Sequence, residues 1–459
     1  MTRAAPNKKG MSGGPPGAPA KPSSDWLPSV FAGMFGLLLG LTLLKFGNPV
    51  VMEKFIERPA NIYEWVLNSG WPAVISHWLL AAVVILGLFV ARWKTGVPRT
   101  LVALPLAWLI WQAIAATHTA DARLTELTLI HFASCTACFY LGLFGLSRVQ
   151  RLWPFWAGIT AAFIIVLLVG FQQHFGGLEE ARRYFYLYIY PTLKDPPLEL
   201  LKKMTTTRIF STLVYPNALA GVILLLLPVI LVLIGSMKTQ MTIGARRLLI
   251  GIVAGASLAC LFWSGSKGGW LLMLLLGLIA LLFLPFKRQL KLLLIGGVLV
   301  MGLAGFFVKY SGFFQRGATS VVARFDYWRA AVQITREKPV FGNGPGAFAL
   351  AYEKIKKPES EMARLTHNDF LEQACDSGLV GFVLYAALVI GALVYTFRHA
   401  PLRQDPLILA VWLGLLGWAL QSLFEFGLYI PALSWIAFGF MGWLLGKSSN
   451  QIDTRNRTV

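Results

Sequence analysis

Long apolar runs alternate along the chain with short polar stretches. Runs of about 17–23 apolar residues suffice to cross a ~30 Å hydrocarbon core as helices. The pattern predicts twelve spans, at about 29–46, 72–91, 100–117, 127–147, 154–171, 216–235, 248–264, 269–285, 291–308, 378–397, 407–425 and 430–446. A β-barrel would show ~10-residue segments of alternating polarity instead. Trp26, Trp93, Trp153 and Trp443 stand near span ends, where amphipathic rings anchor at the interface. The expected fold is an all-α polytopic membrane protein of about twelve transmembrane helices.

Composition agrees. Of 459 residues, 56% are hydrophobic and 14% charged, with mean hydropathy +0.63. A soluble domain carries about 25% charge. A soluble domain, a disordered chain, a disulfide scaffold and a coiled coil are all excluded.

Charge then orients the helices. The net charge is +20. With the N-terminus in the cytoplasm, the seven cytoplasmic segments hold twenty of the 41 Lys and Arg residues. They hold three of the 21 acids, Asp25, Asp405 and Asp453. That is the positive-inside rule, and it predicts an even number of spans with both termini inside. The basic balance is an orientation signal, so the expected partner is the lipid bilayer and not nucleic acid.

The expected organisation follows. Residues 1–28, rich in Pro, Gly, Ser and Ala, form a disordered cytoplasmic tail. Small residues precede the first apolar run, so that run reads as a retained anchor and not a cleaved signal peptide. Spans one to nine occupy 29–308, with an outer segment at 172–215. A large helical periplasmic loop occupies 309–377, spans ten to twelve 378–446, and a cytoplasmic tail 447–459. The outer face carries most of the polar chemistry, so function is expected there.

Cysteine and histidine add little chemistry. Cys135 and Cys138 form a C-x-x-C inside a span without flanking charge, and a reactive thiol needs a positive, partly exposed setting. Cys260 also lies in a span, and Cys375 reads as alone near the outer surface. His77, His118, His131 and His174 lie in or near helix ends without partners at ligand spacing, and His399 is cytoplasmic. No H-x-x-x-H, H-E-x-x-H or outer D-x-D occurs, so no metal site and no cofactor are expected.

Four polar motifs remain. Arg208 leads into Tyr215-Pro216-Asn217-Ala218-Leu219-Ala220, where Pro216 suits the first turn of a helix. Arg208 reads either as a snorkelling cation or as a functional one. Ser264-Gly265-Ser266-Lys267-Gly268-Gly269 is a polar turn between two apolar helices. Lys267 reads as snorkelling or, with the backbone N–H groups of the following helix, as an anion site. In Arg324-Phe325-Asp326-Tyr327-Trp328-Arg329, Val321, Phe325, Trp328 and Val332 share one face of an amphipathic helix lying on the membrane. Arg324 and Arg329 pair with Asp326 or face headgroups. Gly342-Asn343-Gly344-Pro345-Gly346 follows no strand, so it reads as a tight turn and not a dinucleotide loop. Finally, Thr366 and Asp369 form a T-x-x-D capping box. That predicts His367 in the first turn of a helix, where the dipole disfavours imidazolium. A lone histidine there is either structural or a base.

Taken in order and spacing, these motifs resemble the O-antigen ligase and O-antigen polymerase superfamily, the Wzy_C family. The resemblance covers about residues 205–440. It implies a GT-C-like membrane fold that moves a glycan from undecaprenyl pyrophosphate to an acceptor hydroxyl on the periplasmic face, with inversion and without metal. It also implies His367 as base or acceptor-orienting residue, and Arg208 and Lys267 as pyrophosphate ligands. Arg324, Arg329, Asn217 and Glu425 are further candidate substrate-binding residues. Lys267 departs from the arginine usual in the family, which keeps the charge but loses the bidentate fork. The expected acceptor is lipid A–core, as in an O-antigen ligase, with another repeat unit or a protein hydroxyl as alternatives. Outside the enzymes, a lipid-linked glycan transporter would show inverted repeats and ionisable groups at mid-span, and the sequence displays no such pattern.

Overall fold

The computed structural model describes residues 26–67, 70–192, 201, 204–315 and 319–457. Residues 1–25 of the expected tail, 193–200 and 202–203 of the segment at 172–215, 316–318 of the loop at 309–377 and 458–459 of the second tail lie outside the described residues.

Each predicted span falls on a helix. The bundle begins with α1 (Trp26–Lys45), α2 (Ala73–Val90), α3 (Arg99–Ala116), α4 (Ala122–Tyr140) and α5 (Trp153–Gln172). It continues with α6 (Pro216–Ser236), α7 (Ile243–Trp263), α8 (Lys267–Phe283) and α9 (Arg288–Gln315). Two helices of the long connection follow, α10 (Thr319–Glu337) and α11 (Phe348–Ile355). The chain then forms α12 (Asp369–His399), α13 (Pro406–Gln421) and α14 (Pro431–Arg457). No β-strand occurs among the described residues.

Among those residues nine helices, not twelve, are both long and apolar enough to cross a membrane. The shortfall has a local cause. Helices α8 and α13 are apolar but only 17 and 16 residues long, because Pro285 forces Leu284 out of the helix at the end of α8 and the turn bearing Ser422 and Glu425 ends α13. Helix α14 runs from its first turn to Gly446 wholly buried, so it is the axle of the bundle and not a lipid-facing span.

Glycines let the inner helices touch. A methyl group on Gly36 of α1 would meet the Phe155 carbonyl oxygen of α5 at 2.2 Å, and one on Gly442 of α14 would meet the Phe139 oxygen of α4 at 1.9 Å. Such close backbone approach is how membrane helices gain packing energy without a hydrophobic driving force. Cys135 and Cys138 are buried free thiols in this packing. His131 is not near a helix end. It is fully buried, with one ring nitrogen 2.8 Å from the Leu428 oxygen and the other accepting from the Trp435 indole at 3.3 Å.

The long connection is fastened to a break in α12. Ser377 and Gly378 are non-helical, Gly378 having φ +69, and the break exposes carbonyls that need partners. The glycine-rich turn supplies them: Asn343 N donates to Cys375 O at 2.8 Å and Gly344 N to Asp376 O at 2.9 Å. Leu379 N donates back to Pro339 O at 2.8 Å. Gly342, Gly344 and Gly346 all have positive φ, as a tight turn requires. Cys375 therefore does not sit near the surface; this turn and α10 bury it completely.

Candidate functional site

One end of the bundle gathers the segment before α6, the α7–α8 turn, α10, the start of α12 and the turn between α13 and α14. Glu425, in that last turn, is its hub and is 7% exposed. One carboxylate oxygen accepts from Asn217 Nδ2 at 2.6 Å and from the Arg324 guanidinium. The other lies 3.2 Å from His367 Nδ1. Asn217 passes the chain onward, its Oδ1 accepting from Arg208 Nη2 at 2.9 Å. Arg208 Nε in turn donates to Ser264 O at 2.7 Å, on the turn that carries Lys267.

Each member is held by local structure. The segment from Arg208 to α6 is a strained loop in which Ser211 and Val214 have positive φ. Gln173 clamps it, its oxygen accepting from Phe210 N at 3.0 Å and Ser211 N at 2.7 Å, and its amide donating to Ser211 O at 2.9 Å. Pro216 starts α6 as expected, which puts Asn217 in the first turn facing Glu425. Lys267 opens α8 after its N-cap Ser266, whose hydroxyl accepts from Gly269 N at 3.3 Å.

The start of α12 differs from the capping box. The N-cap is Asn368, whose side chain accepts from Phe370 N and Leu371 N, both at 3.0 Å. Thr366 donates to Asn368 O at 2.8 Å. His367 is therefore not in the first helical turn. It precedes the cap with φ +55, a left-handed conformation uncommon outside glycine that carries strain of about 1–3 kcal/mol. Its ring is fixed between Tyr327, stacked at 5.9 Å, and Phe426, edge-on at 4.7 Å.

Arg324 pairs with Glu425 and not with Asp326, and it also donates to Phe424 O at 3.1 Å. Arg329 stays apart. It is exposed, 3.5 Å from Asp326, and lines a separate groove of about 1000 Å³ along α10. Lys267 stands beside the chain, its ammonium 5.3 Å from the centre of the Tyr310 ring. A cavity of about 120 Å³ opens against the hub, lined among others by Arg208, Asn217, His367, Gln421, Glu425 and Phe426.

The electrostatics follow from this arrangement. Burial would push the Glu425 carboxyl up. The hydrogen bond and charge of His367, with Arg324 and Arg208, outweigh that and hold it below the usual carboxylate range. Glu425 is therefore an ionised acceptor at neutral pH, and Nδ1 of His367 must donate to it. Nε2 is then the ring nitrogen that does not face the carboxylate. Burial lowers the proton affinity of Arg208, and the Glu425 charge opposes it. Burial also pushes the Tyr327 phenol up to about 12, so it stays neutral beside His367.

Sequence reading missed Gln173, Tyr310, Tyr327 and Phe426. Tyr327 left a signal inside the Arg324–Arg329 motif, and Tyr310 one as part of Lys309-Tyr310 at the end of an apolar run. One buried grouping was also beyond the motif search. Glu372, Cys375 and Asp376, at i, i+3 and i+4 of α12, bring buried ligand atoms within 4.8 Å of one another.

A multi-pass helical membrane protein with a charged, hydrogen-bonded site at one end of its bundle is the class that fold and site define. Within that class, residues 252–386 match the family model Wzy_C, described as O-antigen ligase. The match bears out the resemblance read from the motifs. It contains Lys267, Arg324, Arg329 and His367, while Arg208, Asn217 and Glu425 lie outside it. The chain is also similar to a protein of Haemophilus influenzae (strain ATCC 51907 / DSM 11121 / KW20 / Rd) described as uncharacterized, with 26% identity over 161 residues. That alignment spans 30% of this chain and 40% of that relative.

Proposed function

We propose that this protein transfers a glycan from undecaprenyl pyrophosphate to an acceptor hydroxyl, with O-antigen moving to lipid A–core as the reaction. The observation that carries the reading is the unbroken chain from His367 through Glu425 and Asn217 to Arg208 at the cavity. It sets a base and a cation against one small space. The excess of basic residues in the opposite connections supports a periplasmic site in an inner-membrane protein with both termini inside.

In this reading His367 Nε2 takes the proton of the acceptor hydroxyl as its oxygen attacks the anomeric carbon. The bond from that carbon to the phosphate oxygen breaks on the opposite face, giving inversion. Glu425 holds the imidazole tautomer and stabilises the imidazolium that forms. The leaving pyrophosphate gains negative charge, which Arg208 and Lys267 meet in place of a metal ion. Fixed cations in a low-dielectric site are well suited to that task. General-base catalysis of this kind contributes roughly 10²–10⁴-fold.

The test pairs turnover with donor binding in His367→Ala. Transfer should fall by ~10²-fold or more while undecaprenyl pyrophosphate still binds. Wild-type turnover in that variant removes His367 from the chemistry.

A further inference from the structure

The α7–α8 turn is surrounded by more cations than one phosphate group needs. Lys309, near the end of α9, donates to the carbonyl oxygen of Phe262 in the last turn of α7, and its ammonium lies 3.0 Å from the centre of the Phe262 ring. Two residues further on, Ser264 O accepts from Arg208. Lys267 opens the next helix. Arg208, Lys267 and Lys309 thus converge on one turn, and Arg208 acts electrostatically on both lysines. The nearby carboxylate, Glu425, is already matched by Arg324. Repelling cations held together in this way call for an anion.

Tyr310 supplies the second observation. It is 6% exposed, yet its hydroxyl is buried with no hydrogen-bond partner among the described residues. Its ring stands 5.3 Å from the Lys267 ammonium and 5.9 Å from that of Lys309. Buried hydroxyls are almost always satisfied, and an exception points to an absent partner. Beside three cations, the partner that suits an O–H donor is an anionic oxygen.

We propose that Tyr310 and Lys309 complete a diphosphate-binding site at the α7–α8 turn, which selects a polyprenyl diphosphate over the corresponding monophosphate. This rests on the glycosyl-transfer reading above. A terminal phosphoryl group carries about 1.5–2 negative charges at neutral pH, and the bridging phosphate of a diphosphate adds about one more. Three cations and a hydroxyl donor match the diphosphate. Arg208 and Lys267 alone match the monophosphate.

The experiment measures binding of undecaprenyl pyrophosphate and undecaprenyl phosphate to the full chain in detergent micelles. Tyr310→Phe keeps the ring and removes only the hydroxyl, and Lys309→Gln keeps the length and removes the charge. Each should weaken diphosphate binding about tenfold, the scale of one hydrogen bond to a charged group, and change monophosphate binding less than about twofold. Wild-type diphosphate affinity in both variants overturns the proposal, as does equal loss for both lipids, which signals general attraction of anionic lipid. Arg208→Ala is the reference. If it loses the diphosphate while the other two do not, only this inference fails. If the unmodified protein binds neither lipid, the donor reading fails with it.

Discussion

Helix α12 begins by contributing to two polar networks that look alike in composition and differ in kind. The upper one, at His367, joins Glu425, Arg324, Asn217 and Arg208. The lower one, a turn or two along the helix, ties Gln373 to the Trp108 indole at 2.7 Å, to Gln112 at 2.9 Å and to the Tyr429 hydroxyl at 3.0 Å. Tyr429 then donates to Asp376 at 2.7 Å, which also accepts from Gly346 N at 2.7 Å. The lower network lies away from the cavity, its links run from uncharged donors to buried acceptors, and it fastens the long connection to α3 and α12, although Gln112 Oε1 and Asp376 Oδ1 have no hydrogen-bond partner among the described residues. The upper network is ionic, borders a cavity and leaves Nε2 of a strained histidine to other partners. Polar residues in a membrane protein are thus of two sorts: those that fasten buried helices to one another and those that border a cavity. Access and charge tell them apart, and residue type does not.

Substitutions at both networks sharpen the contrast. The largest effects should come from Arg208→Ala and Lys267→Ala, which are expected to abolish transfer while leaving expression intact. Full activity of both would make the upper network structural as well, with the cations merely snorkelling.

Next in size is the break in α12. A methyl group at Gly378 would meet Val340 O at 2.1 Å, at φ +69. Gly378→Ala should therefore destabilise the fold by at least about 1–3 kcal/mol, read as a lower unfolding midpoint or reduced yield. A milder probe of the lower network is Gln112→Leu, which leaves partners unmatched and should remove about 1–3 kcal/mol. The surviving protein should keep its activity per folded molecule. A drop in that specific activity, with stability unchanged, would merge the two networks into one.

A pH series reads the hub alone. The folded Glu425 carboxyl is held below its usual range by His367, Arg324 and Arg208 against the pull of burial. Its contribution to stability is fully present above the unfolded carboxylate value of about 4.3. It declines as pH falls below that and is gone once pH passes the folded value. Glu425→Gln should flatten this acid limb and lower turnover by about 10–100-fold, since the amide no longer stabilises an imidazolium. An acid limb unchanged in Glu425→Gln assigns it to another group.

The smallest effect belongs to Lys267→Arg. Charge is kept and the fork gained, so activity should remain within a few-fold of wild type, about 1 kcal/mol or less. Near-complete loss would show that the turn tolerates no larger head group beside Tyr310.

Much of the fold was legible because hydropathy is a local property. All twelve apolar segments became helices, and Pro216 marked the start of α6. The cap at α12 was misread because two sequence patterns compete there. Thr366 and Asp369 have box spacing, but Asn368 is a stronger N-cap, and it wins once His367 turns left-handed. The burial of Cys375 was illegible because the turn that covers it lies some thirty residues earlier in the chain. The contact between His367 and Glu425 spans 58 positions, and no spacing rule reaches that far. Arg208, Lys267 and His367 were found through their motifs. Their joining through Asn217 and Glu425 belongs to tertiary structure.

The buried course of α14 bears on how such a molecule is made. This helix leaves the ribosome after every other described helix, yet α1, α4, α6, α12 and α13 pack against it. Until it arrives, the faces of α1 and α4 that it covers have only lipid to rest against, and the turn bearing Glu425 has no anchor on its far side. Assembly in the membrane therefore waits on the last helix, and a ribosome stalled before Pro431 would release a bundle with its centre vacant and its site unbuilt.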